Sequence, residues 1–399
     1  MLLAFHVILG LFGCLLVALT LPLLLELLVL SLAAALPGPS GWQSRPGLLR
    51  LAVIIPAHDE EKLIGATIAS VTNAADVFVV AHNCTDATAD VAASAGAKVL
   101  ELNDSVGGKG TALEYGFRQA IEAGADILLV IDADTIAGPN LISAISSAFA
   151  RGAQAVQCRY EVSNPNANRR TRLASLALRG MNVLRPLGRQ RLGLSCGIFG
   201  NGFALSASTL ATVPYTPNSL VEDLEYHLHL VRAGIRVEFL DHASVFGEMP
   251  ESSAAATSQR ARWEGGRILM RRLWTRPLTI SVLRGDLRLL EPLLDLLSVP
   301  LATEAAFLIL ILTIGLGTHI YLLAAYGLVG SATIGLYVLI AAFLGSEPWK
   351  TLQALASVPA FLVWKIIMIP RTRRAARSDT AWVRTARNVE TGKPEEPIN

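Results

Sequence analysis

The stretch Ile127-Leu128-Leu129-Val130-Ile131-Asp132-Ala133-Asp134-Thr135 decides the fold of this chain. Five apolar residues in a row, β-branched at three, run straight into two carboxylates one residue apart. That pattern predicts a buried parallel strand ending in an acidic loop. Open α/β sheets bind ligands at the carboxyl ends of their strands. Two acids there, Asp132 and Asp134, suit a hard divalent cation, Mg²⁺ or Mn²⁺, which takes oxygen ligands and leaves room for phosphate oxygens. A solvated loop or a helix cap can carry the same pair, so the flanking sequence has to decide.

Outward from this stretch, short apolar runs at residues 51–55, 77–81, 97–102, 155–158 and 237–240 are further strand candidates. Residues 60–72, 86–95, 110–123 and 139–150 have helical composition between them. Strands alternating with helices predict βαβ units, hence a doubly wound α/β domain around a mostly parallel sheet.

The ends of the chain are different. With 399 residues, 52% hydrophobic content and a mean hydropathy of +0.47, the chain is too apolar for an ordinary soluble enzyme, so part of it sits in lipid. A net charge of +2 gives no sign of nucleic-acid binding. Positive charge is instead gathered at residues 260–276 and 371–377, as on the cytoplasmic face of a membrane. Cys14, Cys84, Cys158 and Cys196 form no CxxC pair, which points to reduced thiols and away from zinc or disulfide roles. Residues 2–36 are long and apolar enough to span, and without a basic n-region they predict an uncleaved anchor. Residues 293–318 and 320–344 also reach spanning length, and a third apolar run follows at 352–369. Three full spans after a cytoplasmic domain would put the basic tail outside, against the positive-inside tendency. Either the third run or the proline-interrupted run before Pro300 is therefore expected to re-enter or lie in the interface. The resulting division is an N-terminal anchor (1–36), a cytoplasmic α/β domain (51–255), interfacial helices (256–292), membrane helices (293–370) and a basic cytoplasmic tail (371–399) whose last residues, 391–399, have a disordered composition. The protein is expected at the cell membrane, multi-pass.

Four further constellations join the acidic loop. Pro56-Ala57-His58-Asp59-Glu60-Glu61 ends the first strand, where it can grip a nucleoside or simply place acids at a helix N-terminus. His82-Asn83-Cys84-Thr85-Asp86 ends the second strand, where a base or ribose can lie and where Asp86 can equally cap a helix. Gly107-Gly108-Lys109-Gly110 is not a Walker A loop, since no Ser or Thr follows the lysine and Asn103 takes the place of the leading glycine. Its glycines still allow close backbone approach, and Lys109 can meet a diphosphate. Glu222 and Asp223 offer a carboxylate for a general base, or an acidic first helical turn. Residues 258–263 then open a basic amphipathic helix with Trp263, Met270, Leu273 and Trp274 on one side and Arg260, Arg267, Arg271 and Arg272 around the rest. Within it Arg262 can clamp a leaving diphosphate, and Trp263 can stack on a sugar face.

Taken in order, Pro56 to Glu61, Gly107 to Gly110, Asp132-x-Asp134, Gly200-Asn201-Gly202-Phe203-Ala204, Glu222-Asp223 and Gln259-x-x-Arg262-Trp263 resemble the membrane-embedded family 2 glycosyltransferases, which include cellulose, chitin, hyaluronan and poly-N-acetylglucosamine synthases and the ceramide glucosyltransferases. The resemblance covers roughly residues 51 to 275. It implies a GT-A fold, a nucleotide-sugar donor that is usually UDP-linked, and an inverting single displacement. By the same matching, Asp134 is a metal ligand and Asp132 spans metal and nucleotide. Asp223 is the general base beside Glu222. Gln259, Arg262 and Trp263 hold the diphosphate and frame the acceptor, while Pro56, His58, Glu60, Asn83 and Lys109 surround the nucleotide. One departure is Ala81-His82, where many members carry an Asp-Asp pair that contacts the base.

The resemblance leaves two acceptors open: a growing polysaccharide, with export or accessory subunits as partners, or a membrane lipid that receives a single sugar. An inactive scaffold that keeps the fold is disfavoured by Asp132, Asp134, Asp223 and Arg262. A transporter would need charges within its spans, for which Glu304 and His319 are the candidates.

Overall fold

The computed structural model describes residues 2–38, 49–71, 75–103, 108–216, 219 and 221–358. In chain order its helices and strands are α1 (Leu2–Ala34), β1 (Leu51–Ala57), α2 (Ile64–Ala69), β2 (Asp76–His82), α3 (Thr88–Ser94), β3 (Lys98–Leu102), α4 (Lys109–Glu122), β4 (Ile127–Val130), β5 (Thr135–Ala137), α5 (Leu141–Ala150) and β6 (Ala155–Val162). There follow α6 (Arg169–Arg179), a π-helical turn (Gly180–Leu184), α7 (Arg185–Arg191), β7 (Phe203–Ser206), α8 (Ala207–Thr212), α9 (Glu222–Arg232), β8 (Val237–Gly247), α10 (Ser253–Leu283), α11 (Leu290–Leu297), α12 (Leu301–Gly317), α13 (Tyr321–Phe343) and α14 (Pro348–Gln353). Gly107, most of the third apolar run, the basic tail and residues 391–399 lie outside the described residues.

One eight-stranded sheet, in the order β3-β2-β1-β4-β7-β6-β8-β5, organises the α/β domain. The strands β3, β2, β1 and β4 run parallel, as does the β6–β8 pair, while β7 is antiparallel to both neighbours and β5 to β8. All of β4 is buried, because helices cover both faces of the sheet and each face has its own apolar core. Ile55, Leu129 and Ile145 belong to one core, and Ile54, Leu128 and Phe203 to the other. Two strands lack a counterpart among the expected ones. β5 has three residues and β7 four, too few for a periodic signal, and backbone pairing with β8 and β4 defines them. The expected helix at 60–72 is shortened to α2 by a turn at residues 61–63.

Outside the sheet, α1 packs on α7, α11, α12 and α13. Phe5–Ala34 and Tyr321–Phe343 are long and apolar enough to cross a membrane, with mean hydropathies of 2.6 and 1.8. The expected span at 293–318 is not one helix. It breaks at residues 298–300, and α11 and α12 meet there with a 78° bend. Pro300 lacks the N–H needed to continue α11 and instead sits at the N-cap of α12. α12 and α13 pack through small residues. A Cβ on Gly327 would lie 2.7 Å from Leu312 N, and one on Gly330 2.5 Å from Leu308 Cδ2. Gly188 likewise lets α7 lie against the Leu30 backbone of α1. Of the two candidates for a transporter's buried charges, Glu304 lies in the first turn of α12, fully buried, and its carboxylate oxygens have no hydrogen-bond partner among the described residues. His319 occupies the α12–α13 turn with a φ of 59°.

A buried ion network joins these parts. Arg185 and Arg189 of α7 both pair with Glu26 of α1, and Arg189 also pairs with Glu291 of α11 at 2.5 Å. Asp295 of α11 takes Arg185, Arg189 at 3.3 Å and Arg267 of α10 at 3.0 Å. Three guanidinium groups thus face three carboxylates, so the charges balance.

Candidate active site

Parallel pairing of β2, β1 and β4 brings their C-terminal loops to one edge of the sheet. The loops after β1 and β2 are tied together by carboxylates that accept backbone N–H groups. Asp59 Oδ1 accepts from Thr85 N at 2.7 Å, Asp86 Oδ2 from Glu61 N at 3.1 Å, and Glu61 Oε2 from Ala87 N at 3.0 Å. His58 Nδ1 donates to the His82 carbonyl at 2.8 Å, and the Asn83 side chain lies 3.2 Å from His82 Nε2. Glu60 is buried, with its N–H on Thr88 Oγ1 at 2.8 Å, and Pro56 pairs with Val80 inside the sheet. Asp59, Cys84 and Asp86 come close enough to share a cation. Their carboxylates are spent on these backbone bonds, however, which explains the grouping as a loop clasp.

The acidic loop after β4 is held differently. Asn201 straddles it: its Oδ1 accepts from Asp132 N at 3.2 Å and its Nδ2 donates to the buried Thr135 Oγ1 at 2.8 Å. Asn201 is fixed in turn by Gln157, whose Nε2 donates to the Asn201 carbonyl at 2.8 Å and whose Oε1 accepts from Phe199 N at 3.0 Å. Gly200 and Gly202 flank it with φ of 73° and 68°, a conformation that side chains disfavour. Gln157 drew no notice in the sequence, since a glutamine within an apolar strand run has no motif of its own. The glycines around Asn201 were the available signal for the loop.

Three expected residues, Lys109, Glu222 and Asp223, converge on this loop and its Asp132. Lys109, the first residue of α4, pairs with Asp132 and donates to the Gly200 carbonyl at 2.5 Å. A Cβ at Gly200 would sit 3.1 Å from Asp223 Oδ2 and 3.5 Å from Lys109 Nζ, so lysine and carboxylate face each other across the glycine. Glu222 and Asp223 open α9, which makes them an acidic first turn as well as members of the site. Burial pushes the Glu222 carboxyl up to about 7, aided by repulsion from Asp223 and opposed by Lys109. Burial also raises Asp223, against the pull of its Leu224 N–H bond and Lys109. Burial lowers Lys109, but attraction to Asp132, Glu222 and Asp223 outweighs it and holds the ammonium above its ordinary range. One cation among three carboxylates leaves surplus negative charge beside Asp134, which is partly accessible in the same loop. Such an oxygen-rich, electronegative donor set fits a hard divalent cation.

α10 adds a second wall. Gly266 lets it rest directly on Val221, the residue before Glu222, and Arg262 lies one turn earlier on the same stripe. Gln259, Arg260 and Trp263 occupy the neighbouring stripe and line a pocket shared with α6. Met270 and Trp274 are buried as expected, whereas Leu273 is 55% exposed, because the inward stripe passes through Arg267, Met270 and Trp274.

Residues 46–266 match the family profile described as "Glycosyltransferase like family 2". A curated relative, the probable glycosyltransferase YdaM of Bacillus subtilis, is 26% identical over 246 residues, which is 57% of this chain and 57% of that protein's length. Among solved structures, the mannosyltransferase PcManGT of Pyrobaculum calidifontis, in complex with GDP-Man and Mn²⁺, is similar over 91% of this chain and 97% of its own, with a TM-score of 0.49 and 16% identity. The glucosyl-3-phosphoglycerate synthase of Mycobacterium tuberculosis, in complex with Mn²⁺, UDP and phosphoglyceric acid, is similar over 61% of this chain and 87% of its own, with a TM-score of 0.41 and 22% identity.

Proposed function

Because this chain belongs to the family 2 glycosyltransferases, we propose that it is an inverting, metal-dependent hexosyltransferase, working at the cytoplasmic face of the cell membrane with a nucleotide sugar, UDP-linked in the usual case. The observation that carries this reading is the convergence of Lys109, Asp132, Glu222 and Asp223 around Gly200, at the strand edge where an α/β sheet binds ligands. Asp132 and Asp134 would hold Mg²⁺ or Mn²⁺, which offsets charge on a departing diphosphate. Lys109 adds a second cation there, and Arg262 approaches from α10. Pro56, His58, Glu60 and Asn83 form the edge of the nucleotide site.

Asp223 is the general base. It takes the proton of an acceptor hydroxyl as that oxygen attacks the anomeric carbon, the bond to the diphosphate breaks and the configuration inverts. Glu222, pushed up to about 7 by burial, is partly neutralised near neutral pH and keeps the pair from carrying two full negative charges. Gln259 and Trp263 frame the acceptor. The division into anchor, catalytic domain, interfacial helices, membrane helices and basic tail belongs to the same reading.

The Gln259-x-x-Arg262-Trp263 motif supports a growing polysaccharide as acceptor, with export or accessory subunits as partners. A membrane lipid is the second reading. It is favoured by the pocket at Gln259 and Trp263, whose other wall, α6, packs on α13 and α14. The test is to give the full chain, in nanodiscs, radiolabelled nucleotide sugars with Mg²⁺ or Mn²⁺ and to separate the products by solvent partition and size. Large water-soluble product supports the polymer, and label in organic solvent supports the lipid. No transfer from any donor overturns the reading.

A further inference from the structure

Strand β6 reaches two distant parts of the molecule at once. Its Gln157 fixes the Asn201 loop, and Asn201 in turn receives the Asp132 N–H. Immediately beyond Gln157 the sheet loosens its hold on the strand. Pairing with β7 stops there, apart from a bond of Cys158 N to the Gly202 carbonyl at 2.7 Å. Pairing with β8 jumps from Cys158–Leu240 to Arg159–Ser244, so residues 241–243 have no counterpart in β6. Irregularities of this kind bend a strand and re-aim its side chains.

Arg159 stands at the interruption, and its three guanidinium nitrogens go to three separate places. Nε donates to Glu161 Oε1 at 2.7 Å within the strand, Nη1 to Asp241 Oδ1 at 2.9 Å in the out-of-register part of β8, and Nη2 to the Leu344 carbonyl at 2.8 Å. Leu344 is the C-cap of α13, where carbonyls lack a helical partner and a cation suits the helix dipole. Arg179 of α6, 3.6 Å from Glu161, lies against the following Gly345, and Gly180 lies against the Tyr337 ring of α13. With the Arg159 side chain only 16% exposed, water competes weakly for its bonds.

We propose that Arg159 is a positioning residue for the acidic loop: it seats β6 on the end of α13 and thereby sets where Gln157 holds Asn201 and Asp132. The metal loop then takes its reference from a helix long enough to cross a membrane as well as from the sheet. Lysine cannot replace the fork, because an ammonium does not reach three acceptors spread around a planar guanidinium. The role of Asp132 as a metal ligand rests on the proposed function, whereas the link from α13 to the loop does not.

The test uses the full chain in nanodiscs and two measurements. By amide hydrogen exchange, the peptide over residues 197–203, which holds the Phe199 N–H, should exchange about tenfold faster in Arg159→Met than in the wild type and at an intermediate rate in Arg159→Lys. Residues 84–88 should keep their rate, since the Thr85 and Ala87 N–H groups bond to Asp59 and Glu61 in the loops after β1 and β2. Unchanged exchange at 197–203 overturns the proposal, as does an equal rise at 84–88, the mark of general loosening. The second measurement titrates Mn²⁺ alone by electron paramagnetic resonance. Its affinity should fall about tenfold in Arg159→Met, the lower end of what groups behind a metal ligand contribute. In a chain already carrying Gln157→Leu, the same substitution should add nothing. An unchanged affinity, or losses that add, overturns the route through Gln157. If the wild type binds no Mn²⁺ while the exchange pattern holds, the metal-dependent reading falls and the link stands. Mn²⁺ binding and sugar transfer with unaltered exchange would do the reverse.

Discussion

Two clusters of basic and acidic side chains, joined through α9 and α10, differ in their balance. Around Asp295, three arginines meet three carboxylates, so each formal charge has an opposite partner. Around Gly200, one lysine meets Asp132, Glu222 and Asp223, and negative charge is left over. Paired charges hold elements in place, and breaking such a pair is costly. Surplus charge held in a desolvated site is work done by the fold against its own stability, and it marks where a cation and a polar substrate are expected. The difference separates a joint from a workplace without reference to any motif.

The largest effect expected is at the incomplete cluster. Asp223→Asn should lower sugar transfer by about 10²- to 10⁴-fold while nucleotide-sugar binding stays near normal. Radiolabel transfer and donor titration read the two quantities, and near-normal turnover would remove Asp223 from the role of base.

At the balanced cluster the sign is reversed: Glu26→Ala leaves Arg185 and Arg189 short of a counter-charge and should cost about 3–5 kcal/mol of stability. Thermal unfolding in detergent measures it, and an unchanged midpoint would show that the network is not a joint.

His227 of α9 tests the ground between the clusters. It is buried with Nε2 2.9 Å from Ser195 Oγ, and burial, aided by Arg189, lowers it to about 4 from an ordinary value near 6.5. Because the unfolded chain binds that proton more readily, stability is intact above about pH 6.5 and falls as pH drops toward 4, by up to roughly 1.4 kcal/mol per pH unit. His227→Gln should flatten this slope in unfolding curves taken between those values. A slope unchanged by the substitution would mean that other groups set it.

The smallest effect is the most discriminating. Glu222→Gln removes one like charge from the crowded cluster and should raise stability at neutral pH by about 1 kcal/mol while reducing transfer. A loss of stability would mean that Glu222, like Glu26, belongs to a joint.

Much of this arrangement was legible in the chain. An apolar run ending in Asp132-x-Asp134 has one good explanation in an alternating α/β pattern, and Lys109 and Asp223 stand at element starts where the topology brings them to the same edge. What could not be read depends on contacts between distant residues. Glu26 stands in an otherwise apolar helix, and only the fold brings Arg185 to it across 159 positions. Gln157 acts through backbone groups of the Asn201 loop, which leave no trace in a side-chain pattern. β5 and β7 exist because β8, and β4 with β6, offer them edges to pair with.

Gly188 also bears on what a chain shortened at its N-terminus would need. Cutting the chain after the first apolar helix would remove more than an apolar segment. The surface left behind would be a groove shaped to a helix backbone, with two guanidinium groups at its floor that have lost a shared counter-ion. A truncation would therefore have to fill that groove with a side chain at 188 and replace Arg185 and Arg189 together, so that the excised helix is substituted rather than merely deleted.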